Sequence, residues 1–293
     1  MKKIPLMIML VTLALCLVAI ALMFARELTS VMPEPVVYVF YAGLAFTVIY
    51  YFVMPIKRVL SMGTAPMKMP TSADEIDQFL NDLSYSDMKK LVHNLASTHQ
   101  DEESENALAA LKTGYDTVGT TKKLMETRYQ KANDYMIKSG LALGTATAIS
   151  QSGKLDGLIL LSGCVKNITV ICSYLGYRPS YIDLAKVYLN VFGSALVSVS
   201  FEDIFDEMVL PDSNIIGFSS LTGFVINSAL VIRIGHITQS YVKSPQNFDA
   251  KAARKDAFSF VLSNKAMLLN EAGKFALDGV MKKATAIKES VGL

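Results

Sequence analysis

Residues 4–25 spell IPLMIMLVTLALCLVAIALMFA, an apolar run of 22 residues that contains no charge. A helix of this length covers about 33 Å, enough to cross a hydrocarbon core of roughly 30 Å. A cleaved signal peptide is the alternative, but its apolar region is usually only about 7–15 residues long. No small-x-small cleavage site follows the run, which ends at Arg26. We therefore predict a transmembrane helix.

A second uncharged run, Val36–Ile56, follows a short connection that contains Pro33 and Pro35. Two such helices joined by a tight loop form a hairpin, which we assign to residues 1–60. Basic residues flank its outer ends: Lys2, Lys3, Lys57, Arg58 and Lys68. By the positive-inside rule both ends of the hairpin lie in the cytoplasm. We expect an all-α membrane protein of the bacterial inner (cytoplasmic) membrane, with the lipid bilayer as its first partner.

The overall composition agrees with this class. Of the 293 residues 52% are apolar and 18% are charged, and the mean hydropathy is +0.35. That balance excludes a disordered chain. The net charge of +2 argues against a nucleic-acid-binding protein, since such proteins carry a strongly basic face.

Residues 61–138 are predicted to form an acidic helical arm. Nine acidic residues lie between Asp74 and Glu105, and only Lys89 and Lys90 offset them. Ser72 and Ser86 have the position of helix starts, and Gly114 and Gly119 that of interruptions in the helices that follow. The acidic cluster at residues 101–105 lacks the alternating ligands and the glycine of a calcium loop. A solvated loop followed by a helix N-terminus is the favoured interpretation.

Residues 139–242 are predicted to form an apolar helical core, in which single charges and many Gly and Ser residues interrupt the apolar runs. Within it, Asn214–Ile232 is uncharged over 19 residues. A buried or membrane-dipping helix is favoured there over a third membrane span. Residues 243–293 are predicted to form a basic amphipathic helix. Its apolar stripe has three possible partners: the chain's own acidic arm, an anionic membrane surface or another protein.

Catalytic patterns are missing from the sequence. Ser152-Gly153-Lys154 lacks the earlier glycine and the following Ser or Thr of a phosphate-binding loop. No G-x-S-x-G occurs, and the three cysteines have neither disulfide-framework nor zinc-site spacing. We expect a non-enzymatic protein without a cofactor or a metal.

A set of polar, glycine and aromatic positions follows a fixed order along the core: Asp156, Lys166, Gly176, Arg178, Tyr181, Glu202 and the pattern Asn227-x-x-Leu230-x-x-Arg233-x-Gly235. In the order and spacing of these positions the core resembles the YcjF-like family of bacterial inner-membrane proteins of unknown function, which tends to have arginine in place of Lys166. The sequence departs from the family at Leu175, where a tyrosine is usual, and in lacking a long basic N-terminal extension. Similar domains occur attached to Era-like or dynamin-like GTPase domains. The resemblance thus implies a GTPase-type protein partner.

Five charges among the apolar helices are the candidate functional residues: Asp156, Lys166, Arg178, Glu202 and Arg233. A charge in such surroundings is costly unless it is paired. Structural ion pairs are the favoured interpretation, with partner contact or ion conduction as alternatives.

From these features we predict an integral membrane scaffold or GTPase partner that forms a homo-oligomer. An oligomeric pore or transport component is one alternative, and a membrane-remodelling protein acting through the basic tail is another.

Overall fold

The computed structural model describes residues 73–97, 99–150, 153–177, 186–191, 218–243 and 247–275, together with residue 184 and ten isolated positions between 33 and 70. Every regular element in these ranges is a helix, and they contain no strand, which confirms the all-α class. The helices are α1 Ala73–Asp82, α2 Tyr85–Ser97, α3 Glu102–Thr113, α4 Thr117–Ser150, α5 Gly153–Tyr174, α6 Phe218–Lys243 and α7 Ala250–Ser263. Residues 265–275 are helical as well.

None of the described helices is long and apolar enough to cross a membrane. The predicted span Ile4–Ala25 lies outside the described residues, as does most of Val36–Ile56. The transmembrane hairpin therefore stays a prediction.

Helices α1 to α3 pack against the first half of α4 and enclose a small apolar cluster of their own. Its fully buried members include Leu91, Val92, Leu124 and Met125. This unit is shorter than the predicted arm of residues 61–138, and from here on the arm means residues 73–128. Ser84 sets the start of α2, two residues before Ser86, which was expected there. The Ser84 Oγ accepts a hydrogen bond from the Asp87 backbone N–H at 3.2 Å. Such a cap satisfies one of the otherwise unpaired donors of the first helical turn.

The two glycines expected to interrupt the arm behave differently. Gly114 ends α3 with a φ of 73°, and its N–H donates to the Ala110 carbonyl. Gly119 lies inside α4, so the interruption predicted there is wrong. The 34-residue helix α4 also continues through the expected boundary between Lys138 and Ser139. One helix therefore belongs to both the arm and the core.

The core is built on the second half of α4, α5 and α6. Two hydrogen bonds show that α4 runs antiparallel to α6. Asn133, at the middle of α4, accepts from Gln239 near the C-terminal end of α6, whereas Thr147, near the C-terminal end of α4, accepts from Asn227 in the first half of α6. Helix α6 lies at the centre, and its middle turns are buried on almost every side. This helix contains most of the uncharged run Asn214–Ile232.

The described part of the basic tail covers α6. Helix α7 buries Ala253, Ala257 and Val261, and Asn264 separates it from the helical residues 265–275. The His236 ring of α6 packs on the Phe260 ring of α7, with centroids 4.9 Å apart. As far as residue 275, the apolar stripe therefore packs on the chain's own core, through α6 and not through the acidic arm.

Candidate functional site

The side chains of only two of the five candidate charges are described. Lys166 is half-buried on α5, and Arg233 is buried on α6 with 2% of its surface exposed. Burial and the nearby Arg254 lower the pKa of Arg233. Asp156 lies in α5, but its side chain is outside the described set, and Arg178 and Glu202 lie outside the described residues altogether. Whether these five charges form structural ion pairs, contact a partner or conduct an ion is therefore not tested, and their functional assignment stays a prediction.

The most extensive described network of charged and polar groups is centred on Arg128, in the arm. Its side chain is fully buried, and its guanidinium binds both carboxylate oxygens of Asp101 at 2.5 and 2.9 Å. It also donates to Ser104 Oγ at 2.6 Å. Two backbone carbonyls complete the set, those of Leu95 at 3.0 Å and His99 at 3.1 Å. We call this arrangement the Arg128 hub.

Asp101 is the residue on which the hub converges. It is the N-cap of α3, where its Oδ1 accepts a hydrogen bond from the Ser104 backbone N–H at 3.1 Å. Lys131 Nζ approaches its Oδ2 at 2.6 Å. The Arg128 guanidinium, followed by the Lys131 ammonium and Ser104, holds the pKa of the Asp101 carboxyl far below its usual range. The acidic cluster at residues 101–105 thus begins with a capping residue in an ion pair, and α3 starts at Glu102.

Acid should unfold the arm because of this carboxylate. A carboxyl whose pKa is lower in the folded state adds stability at pH values above its unfolded pKa, and this stability is lost as the pH falls towards the folded pKa. We expect the stability of the arm to be constant near neutral pH and to fall below about pH 4. Amide exchange of α3 measured along a pH series would show it, and in an Asp101→Asn variant this acid-dependent loss should be much smaller.

The sequence contains a signal for Arg128 that composition alone hides. Leu124, Met125, Arg128, Ala132 and Met136 recur at spacings of three and four residues, and all are buried. Arg128 therefore lies on the apolar face of α4, where a charge requires partners. Charge counts along the arm gave no reason to separate it from the exposed lysines nearby, and its partners lie up to 33 residues away.

A second set of contacts joins the arm to the core at the end of α5. Asn94 Nδ2 donates to the Gly176 carbonyl at 3.2 Å. The His99 ring stacks on the Tyr174 ring, with centroids 4.5 Å apart. The centroid of the Tyr135 ring, on α4, lies 5.9 Å from that of Tyr174. Leu95 packs so closely on Gly176 that a Cβ added there would lie 3.0 Å from its side chain. We call the contacts of Asn94, Leu95 and His99 with Tyr174 and Gly176 the latch.

Amide and hydroxyl side chains join the three core helices. Asn167, fully buried on α5, donates to the Val231 carbonyl of α6 at 3.0 Å and accepts from Ser139 of α4 at 3.1 Å. Cys164 and Cys172 are buried nearby, and burial raises the pKa of both thiols to about 12. These thiols are therefore poor nucleophiles at neutral pH.

The described surface of the arm includes a shallow cleft. An open cleft of about 360 Å³ lies between α3 and α4, beside the turn that carries Tyr115. Tyr115 is 82% exposed, and Asp116 next to it has a φ of 46°. Glu103 and Lys123 contribute charges of opposite sign to its walls. In the described part of the chain no three His, Cys, Asp or Glu side chains converge as a metal site would require.

Comparison with known proteins adds no relative. No protein-family model, curated protein or solved structure matches the chain. The resemblance to the YcjF-like family therefore stays a prediction from the residues that carry it.

Proposed function

We propose that this chain is a non-enzymatic integral membrane scaffold with an N-terminal hairpin in the bilayer. The arm and the core together form a helical head, which binds a protein partner in the cytoplasm. One observation carries the membrane part of this proposal: large apolar side chains are exposed at five described helical positions within the second uncharged run. They are Val36, Tyr38, Val39, Phe46 and Met54, with 46%, 70%, 73%, 69% and 59% of their surfaces exposed.

Exposed apolar side chains at this density need a covering medium. Large contiguous apolar patches on a protein surface mark contacts with a partner or with a membrane. Here no charge lies between Val36 and Ile56, and Lys57 and Arg58 follow immediately. An uncharged run that ends in basic residues is typical of a helix that ends at the cytoplasmic face of a bilayer. Lipid is therefore the covering medium that fits best.

A single charge in this segment distinguishes lipid from water. We expect Phe46→Lys to lower several-fold the fraction of the protein that stays with membranes during alkaline or urea extraction, because a lysine in the hydrocarbon region is costly. Tyr115→Lys is the matched control, since Tyr115 is an aromatic residue of the arm that is even more exposed than Phe46. It should leave the extracted fraction unchanged.

Two outcomes would contradict the membrane proposal. One is a Phe46→Lys protein that resists extraction as well as the unaltered chain does. The other is an unaltered chain that alkaline washing releases completely.

The head is proposed as the partner-binding part because its buried polar side chains, Arg128 and Asn167 among them, fix its helices to one another. The Arg128 hub fixes the arm, and amide side chains join the helices of the core. A rigid helical surface presented at a membrane suits protein association. A GTPase-type partner is what the family resemblance implies.

Purification from membranes in mild detergent tests the partner. A GTP-binding protein should be recovered with the full chain, and its recovery should change between GDP and a non-hydrolysable GTP analogue. Repeated recovery of the bait alone would count against a GTPase partner and would leave the membrane test unaffected.

A further inference from the structure

Contacts of Arg128 join the helices of the arm to one another and to the latch residues. Arg128 of α4 holds the carbonyls of Leu95 and His99, and the same two residues touch the core at the latch. Any displacement of α4 at this level therefore carries the latch residues with it. The apolar cluster of the arm, closed around Leu91 and Leu124, adds to this unity.

On the core side, the latch rests on the cap of α5. Gly176 has a φ of 65°, and the Tyr177 N–H donates to the Cys172 carbonyl at 2.9 Å, as in a glycine-capped helix end. This geometry turns the Gly176 carbonyl towards Asn94 and leaves room for Leu95 against its Cα. A side chain at residue 176 would disturb both contacts.

The contacts within the arm are of a stronger kind than those of the latch. The hub consists of charge-assisted hydrogen bonds to a buried guanidinium, which are about twice as strong as neutral ones. The polar part of the latch is a neutral amide-to-carbonyl bond of 3.2 Å, and the stacked pair of His99 and Tyr174 lies beside it. One further contact joins Asp101 to the partly exposed ammonium of Lys131, which lies within one turn of Tyr129, so this ion pair persists when the arm turns there. The latch is therefore a place where the arm and the core can separate without either unfolding.

We propose that the arm opens from the core at the latch as a single body, turning on α4 near Tyr129. Tyr129 packs against both apolar clusters, which marks the level at which α4 passes from the arm to the core. Opening exposes the capped end of α5 and changes the orientation of the arm relative to α6 and α7. This motion does not depend on the membrane anchor or on the identity of a partner.

Distances between spin labels on the full-length chain in detergent test the opening. One label pair joins the arm to the core, at Lys90 of α2 and Ser259 of α7. A second pair lies within the arm, at Lys90 and Lys112, and a third within the core, at Asn190 and Ser259. All four side chains are exposed. Each is replaced by cysteine in a Cys16→Ala background. The native thiols Cys164 and Cys172 are buried on α5, and samples of the same background without introduced cysteines measure the label that these two thiols take up.

Gly176→Ala should open the latch. The positive φ and the nearby Leu95 side chain both disfavour alanine there, so the population with a longer arm-to-core distance should rise about five- to ten-fold. The distances within the arm and within the core should keep their original distributions. Gly157→Ala on α5 is the matched control, because a Cβ added there meets no atom within 4 Å.

Two results would overturn the proposal. In one, all three distance distributions of Gly176→Ala broaden together, as they do when the arm and the core unfold as one unit. In the other, its arm-to-core distribution equals that of the unaltered chain. Asn94→Ala removes the same hydrogen bond without straining the backbone, and it decides the question in the same way should Gly176→Ala fail to fold.

Discussion

Replacing Arg128 by methionine is expected to destabilise the arm by about 3–5 kcal/mol, the cost of removing one partner from a buried ion pair. Methionine fills much of the same space but donates no hydrogen bond. The Asp101 carboxylate loses its bidentate partner, and the carbonyls of Leu95 and His99 lose a donor. Unfolding of the full-length chain in denaturant, followed by amide exchange in α2 and α3, measures the loss.

The matched control is another ion pair of the same helix. Lys122 Nζ lies 2.6 Å from Asp77 Oδ2, but both side chains are substantially exposed. Lys122→Ala should therefore cost less than about 1 kcal/mol. Arg128→Lys keeps the charge without the planar fork and should fall between the two. Equal losses for Arg128→Met and Lys122→Ala would show that the hub does not hold the arm together.

Gly144→Ala is expected to separate α4 from α6 in the core. A Cβ at residue 144 would lie 2.0 Å from Ser228 Oγ and 2.6 Å from the Phe224 carbonyl oxygen. The second atom is backbone and cannot move alone, and rotation of the Ser228 hydroxyl would still leave the Ser228 Cβ 3.2 Å from the added atom. We expect a loss near the upper end of the usual overpacking cost, about 3 kcal/mol, seen as a lower Tm.

Two further variants make this prediction specific. Gly223→Ala on α6 is the control, because an added Cβ there meets nothing within 4 Å, and it should be neutral or stabilising by up to about 1 kcal/mol. Adding Ser228→Ala to Gly144→Ala removes the nearer of the two clashes and should restore only part of the loss. A Gly144→Ala chain as stable as Gly223→Ala would refute the close approach of the two helices.

Much of the helical arrangement could be predicted from local sequence. The apolar spacing of Met88, Leu91, Val92 and Leu95 indicated a helix in the arm, and all four side chains are buried. The interruption predicted at Gly114 is confirmed, since α3 ends at this glycine. The prediction at Gly119 was wrong because Gly119 lies in the first turn of α4, where the Asp116 side chain occupies the space that a Cβ would need.

The contacts that define the candidate site depend on residues far apart in the chain. Asp101 and Arg128 are 27 residues apart, and Asn94 and Gly176 are 82 residues apart. Charge counts gave no reason to single out Arg128, and the acidic cluster around Asp101 was interpreted as solvated. Their pairing follows from how α3 packs on α4, which no local pattern specifies.

By itself, then, the sequence determined the helical class and most of the described helices, because hydrophobic periodicity and end capping act within a few residues. It also carries the uncharged runs on which the membrane proposal depends. Only the tertiary structure decided that Arg128 is buried, that α4 joins the arm to the core, and that the basic tail covers α6 as far as residue 275. Those facts depend on which helix faces meet, and helix packing is settled by side-chain shape and the satisfaction of buried polar groups over the whole fold.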